Sequence, residues 1–151
     1  MRAIIQRVSS ARLESDQIES DQNSAPRAIG RGLVTLIGVE KGDTLVSVRR
    51  MAERLSGYRV FPDAQGRMNL SLADIHGEML LVPNFTVAAD TKKGTRAGFS
   101  TAAEPAEGEA MFLVLVQEMA KQPVTLQTGI FAADMQITLT NDGPVTFILE
   151  S

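Results

Sequence analysis

Cysteine and tryptophan are absent from this chain, and histidine occurs once, as His76. Without cysteine there is no disulfide, no thiolate metal site and no cysteine nucleophile. A single histidine excludes a multi-histidine metal cluster and leaves one imidazole per chain for any nucleophile–base pair. Neither a metal nor an organic cofactor is expected. No apolar run approaches the roughly eighteen residues that a membrane-spanning helix needs. The opening MRAIIQRVSS has too short an apolar segment for a signal peptide and reads as a strand, so the expected location is the cytoplasm. The excess of acidic over basic residues is small, 18 against 15. A net charge of −3 argues against a large non-specific nucleic-acid surface, yet leaves room for one local basic patch that holds an RNA end.

What is present is an ordinary globular composition, 44% hydrophobic and 22% charged over 151 residues. That length predicts one domain, residues 1–151, with a sizeable core. Arg2–Val8 reads as a first strand, with Ala11–Ile18 returning as its hairpin partner and the polar stretch Glu19–Arg27 as a flexible loop. Gly32–Val39 is a β-branched apolar run bounded by glycines, the mark of a buried strand. Asp43 or Thr44 can cap a helix whose apolar face is Leu45, Val48, Met51, Ala52, Leu55 and Tyr58. Arg49, Arg50, Glu53 and Arg54 fall mostly on its solvated side. Tyr58–Phe61 and Glu78–Val82 read as strands. Ala106–Gln122 reads as a second helix that Pro123 stops. Val124–Thr128, Met135–Thr140 and Val145–Glu150 read as three closing strands. The expected fold is α/β, a single domain of mixed β-sheet with two main helices.

Four stretches bear on chemistry. His76 sits in Ala73-Asp74-Ile75-His76-Gly77-Glu78 with no serine elbow and no marked orienting carboxylate, so it reads as an exposed turn residue. Asn84-Phe85-Thr86 matches the N-glycosylation pattern, which has meaning only in a secreted chain. The compact basic loop Asp90–Arg96 has a bland reading as a solvated face. It also follows Leu80–Thr86, where a strand ends in a Pro-Asn break. Backbone N–H groups freed at such a break can bind an oxyanion, and Lys92, Lys93 and Arg96 can hold phosphate. Asn141-Asp142-Gly143-Pro144 is a strong turn signal between two strand-like runs, either hairpin punctuation or a rigid projection. On residues alone, Phe131 and Met135 are as easily core side chains beside a strand as pocket linings.

These segments resemble the D-aminoacyl-tRNA deacylase family, also called D-tyrosyl-tRNA deacylase, nearly end to end. The resemblance rests on Gln6-Arg7-Val8, Gly38-Val39-Glu40-Lys41-Gly42-Asp43, Met68-Asn69-Leu70 and Phe85-Thr86. It continues through Ala89-Asp90-Thr91-Lys92-Lys93-Gly94, Thr128-Gly129 with Phe131, Ala133-Asp134-Met135, and Asn141-Asp142-Gly143-Pro144-Val145-Thr146. It implies a homodimeric hydrolase of translation proofreading that cleaves the ester joining a D-amino acid to the 3′-terminal adenosine of tRNA. Carried over, the Gly143-Pro144 bond is cis, and its carbonyl oxygens enter the partner subunit's site as a chirality filter. Thr86 matches a threonine considered as a nucleophile in that family. No base is evident beside it, and water attack is preferred, with backbone N–H groups of Phe85 and Thr86 holding the oxyanion. Asn84, Phe131 and Met135 are expected to line the pocket for the terminal adenosine and aminoacyl group, and Lys92, Lys93 and Arg96 to meet phosphates.

Two departures stand out. Pro83-Asn84 replaces the family's usual Ser-Gln, and proline removes a backbone donor. Related deacylases acting on mischarged L-aminoacyl-tRNA carry a proline there too, so an editing deacylase of shifted specificity is the alternative. An inactive module that binds the tRNA end is a second. The other departure is Glu19–Arg27, longer and more polar than the usual tight hairpin.

Overall fold

The computed structural model describes residues 1–19 and 27–151. Its central element is β1 (Arg2–Glu14), in which Ala3, Ile5, Val8, Ala11 and Leu13 are buried. Ala11–Glu14 therefore extends the first strand and does not return as a hairpin. Ser9 and Ser10 are exposed strand residues, since nothing between Val8 and Ala11 supplies a turn. One helical turn, α1 (Asp16–Glu19), follows. Residues 20–26 of the expected polar loop lie outside the described residues. The partner of Ala11–Leu13 is instead β2 (Arg27–Ile29). Beyond it β3 (Gly32–Gly38) pairs antiparallel with Arg2–Val8. Ala11 faces Ile29 and Val8 faces Gly32, so the register carries across Gly30 and Arg31 without a slip.

On its other side β3 runs parallel to β6 (Glu78–Pro83), which runs parallel to β7 (Thr125–Thr128). Gly32 allows the first of these approaches, because a Cβ there would stand 1.7 Å from the Glu78 carbonyl oxygen. Parallel neighbours need crossover connections. Helix α2 (Leu45–Gly57) lies in the first and α3 (Pro105–Met119) in the second. Thr44 caps α2 in a capping box with Ser47, while the Asp43 carboxylate accepts from the Glu40 N–H at 2.8 Å. Leu45, expected on the apolar face, is 49% exposed because it opens the helix beyond the sheet. α3 ends at Met119, short of the expected Gln122, and its core-facing residues are Phe112, Leu115 and Met119. A small hairpin of β4 (Phe61–Pro62) and β5 (Met68–Leu70) fills the first crossover. Tyr58 caps α2 and does not begin a strand.

Both helices pack on one sheet face, where Ala3, Ile5, Leu33, Ile37, Met79 and Leu81 meet Val48, Met51, Leu55, Phe112 and Leu115. The opposite face presents Val34, Leu80 and Val82, partly covered by Ile130, Met135, Ile137 and Leu139. Burial on both faces explains why β3 and β6 read as continuous apolar runs. No described helix is long and apolar enough to cross a membrane.

The closing strands differ most from expectation. Met135–Thr140 and Val145–Glu150 belong to one strand, β8 (Gln136–Glu150), which is antiparallel to β1 along its whole length. Asn141-Asp142-Gly143-Pro144 is therefore no corner, because the chain keeps its direction. It is a bulge: Val8 faces Asn141 and Gln6 faces Thr146, leaving residues 142–145 opposite Arg7. The Gly143–Pro144 peptide is cis and Gly143 has φ +142°. A Cβ on Gly143 would also stand 2.6 Å from Val145 Cγ2 and 2.8 Å from its nitrogen, so only glycine fits.

Thr35 lies in the centre of the sheet between Ile5 and Leu81, fully buried, and its hydroxyl has no partner among the described residues. A buried unpaired hydroxyl costs about 1–3 kcal/mol. Thr35→Val keeps the branched shape and should stabilise the fold by about 1 kcal/mol, a rise in Tm of about 2–4 °C. An unchanged or lower Tm in thermal unfolding would mean that the hydroxyl is satisfied.

Candidate active site

Open α/β sheets bind ligands outside the carboxyl ends of their parallel strands, where successive chains leave the sheet. At that end of β3 and β6 lies a cavity of about 810 Å³. Leu36, Ile37 and Val82 form its base. The first turns of α3, through Pro105, Gly108 and Phe112, make one wall, and Phe131–Met135 between β7 and β8 make another. Pro83, Asn84, Phe85 and Phe99 stand at its edge.

At the Pro-Asn break two of the backbone N–H groups are already engaged. Pro83 closes β6 opposite Ile37, and the Asn84 N–H donates to the Ile37 carbonyl at 2.7 Å. Asn84 then caps the 3₁₀ turn Phe85–Ala88. Its Oδ1 accepts from the Thr86 N–H at 3.1 Å and from the Thr86 hydroxyl at 2.5 Å, the local bonding that asparagine favours at turns. The Thr86 N–H expected to face an oxyanion is thus engaged by a neighbouring side chain. The Phe85 N–H begins the turn and has no acceptor within it. The Thr86 hydroxyl donates to an amide oxygen, which is no base, and no histidine or lysine bonds to it. His76 is exposed in a turn with φ +47°, at the opposite end of β6.

Phe131 and Met135 both line the cavity. The Phe131 ring lies against Gly108, where a Cβ would be 3.5 Å from Cζ, and Met135 Sδ accepts from the Ile130 N–H at 3.3 Å. Lys92, Lys93 and Arg96 are not in its wall. They occupy an exposed loop closed by paired hydrogen bonds between Asp90 and Gly98, at 2.8 and 2.9 Å. The Asp90 carboxylate accepts from the Lys92 N–H at 3.0 Å, and none of the three cations pairs with a carboxylate among the described residues. The loop hands the chain to Phe99.

Gly143 and Pro144 do not line the cavity of their own chain. Their bulge is fixed from below by Arg7, whose Nε donates to the Asp142 carbonyl at 3.0 Å and meets its carboxylate at 3.2 Å. Arg7 Nη1 also donates to the Val60 carbonyl at 2.6 Å. Across the bulge, Asn141 accepts from the Val145 N–H and donates to the Thr146 hydroxyl, both at 2.9 Å. Sequence reasoning passed over Phe99, the α3 end and the anchoring roles of Arg7 and Asn141. Phe99 carried one signal, a lone aromatic in a small, polar stretch beside a basic loop. A largely apolar cavity that Phe85, the first residue of the 3₁₀ turn, helps to line, with Glu104 and Asp134 as the carboxylates of its wall, suits a ligand already activated for cleavage.

A family model described as D-Tyr-tRNA(Tyr) deacylase matches residues 4–150. A D-aminoacyl-tRNA deacylase of Alkalilimnicola ehrlichii is 52% identical over 151 residues, covering 100% of this chain and 97% of that protein. One from Methylococcus capsulatus is 50% identical over 149 residues, covering 99% and 94%. Among solved structures, one described as c-Myc DNA Unwinding Element Binding Protein matches with TM-score 0.89 at 32% identity, covering 100% of this chain and 99% of that one. Another, a probable eukaryotic D-amino acid tRNA deacylase, shares the fold with TM-score 0.77 at 14% identity, covering 99% and 98%. With nearly every residue matched by the family model, and half of all positions shared with full-length relatives, the chain belongs to the D-Tyr-tRNA(Tyr) deacylase family.

Proposed function

We propose that this hydrolase, a D-aminoacyl-tRNA deacylase by family, removes D-amino acids from the 3′ end of tRNA as a cytoplasmic homodimer. The observation that carries the reading is the largely apolar cavity that Phe85 helps to line, in a chain of this family. The terminal adenosine and aminoacyl group enter between Phe131, Met135 and the α3 end. Water adds to the ester carbonyl, and the developing oxyanion takes a hydrogen bond from the Phe85 N–H. The carbon–oxygen bond to the ribose then breaks, the departing 3′-oxygen takes a proton, and the amino acid and tRNA separate. The family's use of the terminal 2′-hydroxyl agrees with a Thr86 hydroxyl that is bonded to an amide oxygen and to no base among the described residues.

Gly143 and Pro144 act in the partner's site, where their carbonyl oxygens reject an L-configured Cα. Their absence from their own chain's cavity supports action in trans. So does their place on β8, whose outer edge pairs with no described strand and exposes Ile148 at 66%. A backbone wall held by Arg7 and Asn141 has no rotamer with which to yield. A second reading, an editing deacylase for mischarged L- or glycyl-tRNA, draws on Pro83 and on the Asn84 side chain that occupies the Thr86 N–H.

D-tyrosyl-tRNA should be cleaved with kcat/KM about 100-fold above L-tyrosyl-tRNA, a discrimination of about 2.7 kcal/mol. Turnover per chain should fall on dilution to the monomer. Faster cleavage of glycyl- or mischarged L-aminoacyl-tRNA would select the editing reading, and tRNA binding without turnover of any substrate would leave a binding module. Thr86→Ala should keep substantial activity, losing less than the roughly 100- to 1000-fold of a deleted oxyanion donor. An aminoacyl ester trapped on Thr86 by rapid quench and mass spectrometry would overturn the water mechanism. Alanine at Lys92, Lys93 and Arg96 together should raise KM and flatten its dependence on salt, by about 2 in the log–log slope if each meets a single-strand phosphate. An unchanged slope would return the loop to a solvated face.

A further inference from the structure

Two exposed large apolar side chains, Phe85 at 61% and Phe99 at 46%, pair with each other and both line the cavity. Their ring centroids are 5.0 Å apart with the planes tilted by 52°, so each ring keeps surface open to solvent. The two come from separate segments that are tied together. Phe99 follows the basic loop, and its carbonyl accepts from the Ala102 N–H at 3.1 Å. Within that turn the Thr101 hydroxyl donates to the carbonyl of Ala88, the last residue of the 3₁₀ turn that carries Phe85. The aromatic pair is thus held in place by backbone on both sides. The bridge between Asp90 and Gly98 closes the basic loop immediately before Phe99, and its Lys92, Lys93 and Arg96 are free of carboxylate partners among the described residues, on a chain whose net charge, these three included, is −3. Exposed aromatic faces next to unpaired cations are what unpaired nucleotides bind, with bases on the rings and phosphates on the charges.

We propose that Phe85 and Phe99 form a stacking platform for the unpaired nucleotide preceding the terminal adenosine, while the Lys92–Arg96 loop holds the adjoining phosphates. The proposal rests on the tRNA end being the ligand, and it divides recognition in two. The cavity takes the terminal nucleoside with its aminoacyl group, and the platform takes the strand that leads into it. Charge complementarity favours a nucleic-acid strand over an apolar partner here, because a second protein copy would have to cover three unpaired cations along with the rings.

The test uses binding of uncharged probes, so its outcome does not depend on hydrolysis. Dissociation constants of the trinucleotide CCA and of adenosine are measured by calorimetry for the native protein and for Phe99→Ala, Phe99→Leu and Phe99→Tyr. A stacked base is worth about 1–3 kcal/mol, or about 5- to 150-fold. Phe99→Ala and Phe99→Leu should therefore weaken CCA by that factor and adenosine by much less, and Phe99→Tyr should restore CCA binding. The leucine variant keeps apolar volume without a flat face and serves if the alanine variant fails to fold. Equal weakening of both probes would assign the ring to the terminal nucleoside and overturn the platform. No weakening of either would overturn it as well, as would a shift to monomer in sedimentation, which would show that a second copy covers the rings. Tight CCA binding by the native protein without cleavage of D-tyrosyl-tRNA would sink the hydrolytic reading and leave the platform standing.

Discussion

Because β1 carries β2 and β3 on one side and β8 on the other, four residues of β8 find themselves opposite Arg7 alone. Residues 142–145 have no partner in β1, yet both flanks stay paired with it, in registers that shift across Gln6, Val8 and Ser10. The bulge is therefore clamped at each end by strand pairing and pinned in the middle by the Arg7 guanidinium. That guanidinium also reaches the Val60 carbonyl just before β4, so the bulge is tied to the first crossover as well. A loop at a hairpin tip would have had none of these constraints. For a projection whose proposed task is to present fixed carbonyl oxygens, position inside a paired strand is the property that matters.

The cavity follows from a different constraint, the parallel order of β3, β6 and β7. Parallel strands force crossovers, and both helices lie on the same sheet face, which concentrates the larger core there. The other face is left to the shorter Phe131–Met135 connection and the start of β8. That thinner cover meets the N-terminal end of α3 across a gap, and the gap is the cavity. Gly108 lies against the Phe131 ring, where an added Cβ would make an ordinary contact at 3.5 Å. Fold and site are thus one packing solution, in which the incompletely covered end of the sheet is the functional end.

Much of this was legible in residue order. The β3 run, the Thr44 cap and the apolar stripe Val48, Met51, Ala52 and Leu55 follow from local pattern, and the structure agrees on each. Long-range pairing was not legible. Ala11 and Leu13 keep the period of two that either a continuing strand or a returning one would show, and only the position of β2 decides between them. Likewise Asn-Asp-Gly-Pro is a turn by composition, but turn residues serve equally in a bulge. Whether the chain reverses depends on β1, far away in sequence. The engagement of the Thr86 N–H by Asn84 was hidden for a simpler reason: it is a side-chain bond across two residues, and composition alone does not choose its acceptor.

Asn84 links the sequence departure to the proposed chemistry. Proline at position 83 has no N–H to give, so any backbone donor set at this break begins one residue later. Asn84 spends its own N–H on Ile37 and uses its side-chain oxygen to occupy both the N–H and the hydroxyl of Thr86. What remains without an acceptor in the turn is the Phe85 N–H, on a residue that lines the cavity. One donor stabilises an oxyanion less than two, but an aminoacyl ester is already reactive, and a selective site needs only to admit the right substrate and hold its carbonyl. The Asn84 bonds also hold the Thr86 hydroxyl on an acceptor that cannot remove its proton, which keeps the side chain from competing with water. In the proposed enzyme, the substitution that removes a donor thus also fixes the turn that carries the remaining one.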